Sequence, residues 1–158
     1  MEKTRVVTGI SCNESEVKIS LLKVSDKPGI AFEIFATLVE AGINVDMIIQ
    51  NVQQNNFNDI TFTIEEEDLS QARIILEELQ TELRIEEIIF NTELAKVSII
   101  GGGMLTNSGI AAKIFSALAN KNINIKLIST SEIKVSCLIN EAQAEKAVKA
   151  INDEFELA

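Results

Sequence analysis

The residues best placed for chemistry are Asp26, Lys27, Pro28 and Gly29, which stand between a strand-like run and a helix-like run. A helix that starts there presents backbone N–H groups without intrahelical partners and a partial positive charge, and both suit a carboxylate. Gly29 carries no side chain that would keep a ligand from those amides. Asp26 stands just outside the helix and is a candidate acceptor for an ammonium group. Amides for a carboxylate and an acid for an amine together make a receptor for a free amino acid. The other reading is local: Asp26 caps the helix and Gly29 only relieves packing. Composition and pattern alone favour that local reading.

Other chemistries are excluded more firmly. The 158 residues contain no His, so neither a Ser-His-Asp nor a Cys-His constellation can be assembled. Cys12 and Cys137 are too few for a disulfide framework and have no His to complete a zinc site. They read as two reduced thiols of a cytoplasmic protein. A formal charge of −10 argues against nucleic acid and against an anionic membrane surface. No apolar run approaches the roughly 20 residues a membrane helix requires, and "MEKTRVV" lacks the apolar stretch of a secretory signal. Glu65, Glu66, Glu67 and Asp68 read as a solvated helix entrance that complements the helix dipole, not as a metal site. The three glycines of "IIGGGMLTNSG" miss the G-x-G-x-x-G spacing, because Thr106 stands where the last glycine belongs. No cofactor, metal or catalytic residue is expected.

The elements that must position the Asp26 corner follow from periodicity. "VKISLLKV", Val17 to Val24, is a strand. Pro28 suits the first turn of a helix whose apolar stripe is Ile30, Ile34, Phe35, Leu38 and Val39, and Gly42 ends it. "INVDMIIQNV" and "DITFTI" form a hairpin around the Asn-rich "QQNNFN". A second helix buries Leu69, Ala72, Ile75, Leu76 and Leu79, and Ile85 to Asn91 is the closing strand. The order is β-α-β-β-α-β, a ferredoxin-like unit in an α+β protein.

The chain then repeats itself. "KVSII" answers "KISLL", and Gly109, Ile110, Ala111, Ile114, Phe115 and Leu118 answer Gly29, Ile30, Ala31, Ile34, Phe35 and Leu38. "NINIKLI" answers "GINVDMI", "EIKVSCLI" answers "DITFTI", and a helix with Ala144, Ala147, Val148 and Ile151 follows. After that helix only "EFELA" remains, too short for a fourth strand, while "TRVVTGI" precedes the first unit without a place in it. The N-terminal strand is therefore expected to cross over and complete the second sheet, since an unpaired edge would otherwise remain. The expected division is 14–92 for the first domain, inserted into a second made of 1–13 and 93–158.

"VSDKPGIAFEIFATLVEAGINVDMIIQN" with "DITFTI" resembles the first regulatory ACT domain of aspartate kinases. "KVSIIGGGM" and "NINIKLISTSEIKVSCLI" resemble their second, so the likeness spans nearly the whole chain. The resemblance implies a non-catalytic allosteric module that binds an end-product amino acid, threonine or lysine, and inhibits the phosphorylation of aspartate. It implies a homodimer formed through ACT domains, with effectors held where a first domain meets a second, and a kinase catalytic domain or subunit as partner. Carried over by position, the first-domain contacts are Asp26, Gly29, Ile30, Ala31, Asn44 and Gln50, and the second-domain contacts are Asn122, Asn124 and Ile125. Asp26 takes the amine, amides near Gly29 and Ala31 the carboxylate, and Gln50 and Asn124 the side chain. Family members often carry His-Pro-Gly where this chain has Asn107-Ser108-Gly109, which puts an effector role of the second corner in doubt. A natural regulatory subunit and a fragment of a longer kinase are equally compatible with these residues. The contrasting expectations are a dimerisation module that binds no effector, and a small independent enzyme, for which no catalytic constellation exists.

Overall fold

The computed structural model describes residues 7–53, 55–101 and 108–155. Within them the order is β1 (Val7–Ser25), α1 (Ile30–Glu40), β2 (Ile48–Val52), β3 (Phe57–Glu65), α2 (Leu69–Leu83), β4 (Glu87–Gly101), α3 (Ser108–Asn120), β5 (Leu127–Thr130), β6 (Lys134–Asn140) and α4 (Ala144–Phe155). The acidic run Glu66–Asp68 forms a 3-10 turn ahead of α2. The chain divides into an inserted unit, Glu16–Thr92, and a split unit, Met1–Ser15 with Glu93–Ala158.

Both units have the same strand order. In the inserted unit the neighbours run β2-β3-β1-β4, with β1 and β2 each antiparallel to β3. In the split unit they run β1-β4-β6-β5, with β4 and β5 each antiparallel to β6. The N-terminal half of β1 is thus the fourth strand of the split unit, as the missing edge required. Ile10 and Cys12 pack against its core. The part of the predicted strand from Thr4 to Val6 lies outside the described residues.

The two long strands were expected in pieces. The sequence reading separates "TRVVTGI" from "VKISLLKV", and Ile85–Asn91 from Lys96–Ile100; each pair is one continuous strand. The breaks in the apolar pattern have a different cause. In β1 the core-facing residues are Ile10 and Cys12, then Val17, Ile19 and Leu21, then Val24. Their parity changes twice, and at each change stands a residue of positive φ, Ser15 (62°) and Lys23 (54°). In β4 parity changes between Phe90 and Ala95, across Glu93 at 59°. A strand has a side-chain period of two, so only such an irregularity lets the same strand change which residues it buries. Two differences are smaller. Pro28 precedes α1 instead of opening it, and the strands after α1 and α3 begin only at Ile48 and Leu127.

Each unit has its own core. The inserted unit buries Ile19, Leu21, Ile34, Leu38, Phe62 and Leu76, among others, with the Phe35 and Phe62 rings edge-to-face at 5.3 Å. The split unit buries Val97, Ile99, Ile114, Leu118, Cys137 and Ile151. Each such aliphatic side chain contributes about 1.5–3 kcal/mol of transfer free energy. Polar residues on the strands pair within their ladders, Thr61 with Ser20 at 3.3 Å and Ser98 with Ser136 at 2.9 Å.

Both first helices end in the same cap. At the end of α1, Gly42 (φ 81°) donates its N–H to Val39 O and Ile43 donates to Leu38 O. At the end of α3, Asn122 (φ 57°) donates to Ala119 O and Ile123 to Leu118 O. These are Schellman motifs, each closed by a buried Ile–Leu pair. Asparagine is among the few side-chain-bearing residues that adopt the left-handed position readily. Gly42→Ala is expected to lower stability by about 1 kcal/mol, whereas Asn122→Gly changes it by less than about 0.5 kcal/mol, measured by urea unfolding.

Candidate functional site

The β1–α1 corner is shaped by two backbone devices. The first is the bulge in β1: Leu21 pairs with Ile60 and Val24 with Asn58, so Leu22 and Lys23 together oppose Asp59. The Lys23 N–H, turned out of the ladder, donates to Asp59 Oδ1 at 3.0 Å. The other Asp59 oxygen accepts from the Gln53 side chain. The second device is the turn Lys27-Pro28-Gly29-Ile30, closed by Ile30 N–H to Lys27 O at 3.3 Å. Proline at its second position and Gly29 at φ 92°, ψ −12° at its third make a type II turn. Gly29 is thus required by its left-handed φ. A Cβ there would meet no atom within 4 Å, so relief of packing is not its role.

Asp26 does not cap α1, which has no side-chain cap. Its N–H instead donates to Asn56 O at 2.9 Å, and its Oδ1 accepts from Asn58 Nδ2 at 2.9 Å. Asn55 and Asn56 both adopt positive φ at the β2–β3 turn, as the Asn-rich tip predicted. The Ile30 amide is consumed by the turn. Glu33 N–H makes the first i→i−4 bond, to Gly29 O, so α1 supplies no carbonyl for Ala31 and Phe32 N–H. An exposed carboxylate therefore precedes a helix N-terminus where two amides have no partner among the described residues. That geometry fits a small zwitterion, carboxylate on the amides and ammonium on Asp26.

The expected contacts fall as follows. Asp26, Gly29, Asn44 and Gln50 are exposed, while Ile30 and Ala31 are half-buried and pack on the inserted unit's core. Gln50 lies on β2 opposite Ile60, two residues from Val52, which pairs with Asn58. Asn44 follows the Gly42 cap. Asn122, Asn124 and Ile125 belong to the split unit, where Asn122 is the left-handed cap residue and its carbonyl accepts from Gln143 at 3.4 Å. Of the second corner, Gly102 to Asn107 lie outside the described residues, and the glycine-run reading with them. Missed at the sequence level were the Phe32 amide and Asn58. Asn58 has a legible signal: it shares the parity of Ile60, Phe62 and Ile64, an amide at an inward-facing strand position.

The split unit carries a separate open cleft of about 420 Å³ between the N-terminal half of β1 and α4, lined by Cys12, Glu14, Val148, Lys149, Asn152 and Asp153. Burial, and secondarily the Glu14 carboxylate, raise the Cys12 thiol pKa. Burial pushes Cys137 up to about 11. Neither thiol is activated as a nucleophile.

Comparison with known proteins agrees with this fold. The ACT domain family matches residues 19–84, and a second ACT domain family matches 97–155. The chain is 45% identical over 152 residues to an aspartate kinase of Stutzerimonas stutzeri, covering 96% of this chain and 37% of that enzyme. It thus spans well under half the length of the curated kinase. In a crystal structure of aspartokinase alpha and beta subunits, one chain matches with a TM-score of 0.86 and 42% identity, over 96% of this chain and 99% of that one. The ligand-free regulatory subunit of aspartate kinase from Thermus thermophilus matches with a TM-score of 0.87 and 37% identity, over 95% and 99%.

Two measurements check the site's local physics. Gly29→Ala is expected to cost about 1–2 kcal/mol in urea unfolding despite the empty space around it, since only φ is at stake. At pH 8 an aromatic disulfide reagent should label Cys12 slowly and Cys137 only on unfolding; rapid labelling of Cys137 in the native protein contradicts its burial.

Proposed function

The chain belongs to the ACT-domain regulatory part of the aspartate kinases, and from that premise we propose that it senses an end-product amino acid, threonine or lysine, and inhibits aspartate phosphorylation by the kinase's catalytic domain or subunit. The observation that carries this reading is the β1–α1 corner, where exposed Asp26 precedes the Ala31 and Phe32 amides, which have no partner among the described residues. The zwitterion common to all free amino acids needs those two features and no others. Gln50, exposed on the same unit, and Asn124, exposed on the other, then meet the side chain of the effector. The second-domain contacts, Asn122, Asn124 and Ile125, are contributed by a partner chain in a homodimer.

Exposed apolar side chains support the dimer. Phe32 (78% exposed) and Val39 (63%) lie one heptad apart on α1, and Ile48 (52%) and Val52 (77%) lie on β2, the outermost strand of its sheet. An edge strand with exposed apolar residues invites pairing unless something covers it. Binding regulates only where it differs in free energy between two arrangements of the dimer, so the effector must prefer the inhibited one. The same apolar surface also fits a second reading, a dimerisation module that assembles the kinase without sensing anything.

Calorimetry with threonine, lysine and methionine separates the two. The expected result is saturable heat with threonine or lysine. Asp26→Ala should weaken it by about 10- to 100-fold, the size of a charge-assisted contact, without dissociating the dimer. A stable dimer that gives no heat with any of the three at millimolar concentration leaves only the assembly reading. Phe32→Glu with Val52→Lys should shift the dimer toward monomer in analytical ultracentrifugation.

A further inference from the structure

Asn58 is 3% exposed, so it is more deeply buried than any other residue of the corner that carries a polar side chain. It sits on β3 between Val24 of β1 and Val52 of β2, at the end of the inward-facing row Ile60, Phe62, Ile64. An apolar residue would suit that position better unless the amide has work to do. Part of the work is visible: Nδ2 donates to Asp26 Oδ1 at 2.9 Å. That bond also fixes the orientation of the amide. A carboxylate only accepts, so the NH₂ group must face Asp26 and the carbonyl oxygen must face away. Oδ1 is then buried, and no donor reaches it among the described residues. A buried acceptor without a donor is costly and rare, so the position keeps an amide for the bond that it makes to Asp26.

We infer that Asn58 is a positioning residue of the effector site: its NH₂ group holds the Asp26 carboxylate where it takes the ammonium of the bound amino acid. The inference rests on the Asp26 corner being the amino-acid site. Loss of that bond frees the carboxylate and weakens only its contact with the ammonium. The residue therefore sharpens selection for the α-amino group and not for the effector side chain.

The test compares each amino acid that the wild type binds with its deamino counterpart, 3-hydroxybutanoate for threonine or 6-aminohexanoate for lysine. Affinities are measured by calorimetry and, for weak binding, by ligand-detected NMR. In Asn58→Leu the amino acid should bind about tenfold or more weakly while the deamino counterpart is unchanged, so the ratio of the two affinities collapses. Asn58→Ala, which adds no volume, gives the same readout if the leucine variant does not fold by circular dichroism. A residue that is merely structural would weaken both ligands equally and leave the ratio intact, and that result overturns the inference. Full affinity retained in both variants overturns it as well. Silence of the wild type toward every amino acid instead removes the sensing function on which the inference stands.

Discussion

The period of two along a β-strand is the constraint on which this chain depends. β1 and β4 each serve two cores, and each core requires its own set of alternating residues. A regular strand cannot change parity, so the change has to be made in the backbone. Ser15 and Glu93 make it near the boundaries of the two units, and Lys23 makes it once more beside the functional corner. None of these is glycine, so each holds a conformation that costs about 1 kcal/mol or more in an isolated chain. The burial of the residues on either side is what offsets that cost.

The Lys23 bulge links the fold to the proposed site directly. It brings Val24 back into the core and ends β1 one residue out of its earlier phase, which turns Asp26 toward β3. Two polar side chains of β3 then hold the strand end: Asp59 through the bulged amide, and Asn58 through the Asp26 carboxylate. The type II turn at Pro28-Gly29 redirects the chain into α1 and consumes the Ile30 amide. What remains is a short list of unsatisfied groups, Ala31 N–H, Phe32 N–H and one face of Asp26. The proposed selectivity for a zwitterion rests on that remainder. The polar contacts within the corner fix its geometry, so the proposed binding need not order it.

The repeat shows which features belong to the fold and which to the site. The Schellman cap recurs with Gly42 in one unit and Asn122 in the other, and the strand order recurs in full. The cap is therefore architecture, and Asn122 satisfies the backbone whether or not it also touches an effector. Of the Asp26–Asn58 pair, only the positions have counterparts. "DITFTI" is answered by "EIKVSCLI", but Asp-Lys-Pro-Gly has no acidic, proline-bearing echo. In the proposed division of labour the first corner grips the ligand and the second domain of a partner closes it.

Local sequence determined a good deal of this. Alternation and helical stripes specified β-α-β-β-α-β once and β-α-β-β-α a second time, and the second sheet's missing strand pointed to the N-terminal strand. Gly42 and the Asn-rich hairpin were legible because left-handed residues are few in kind. Asp26 and Gly29 could be singled out as a corner, though not their roles. Capping and reception looked alike, because a sequence does not say which donor an aspartate meets. Only the tertiary structure decided that: Asn58, more than thirty residues away, takes the Asp26 oxygen that a cap would have used. The continuity of β1 and β4 was likewise hidden, because a bulge breaks the apolar alternation just as a loop does. Which of the two it is depends on ladder partners elsewhere in the chain, and those are set only when the sheet closes.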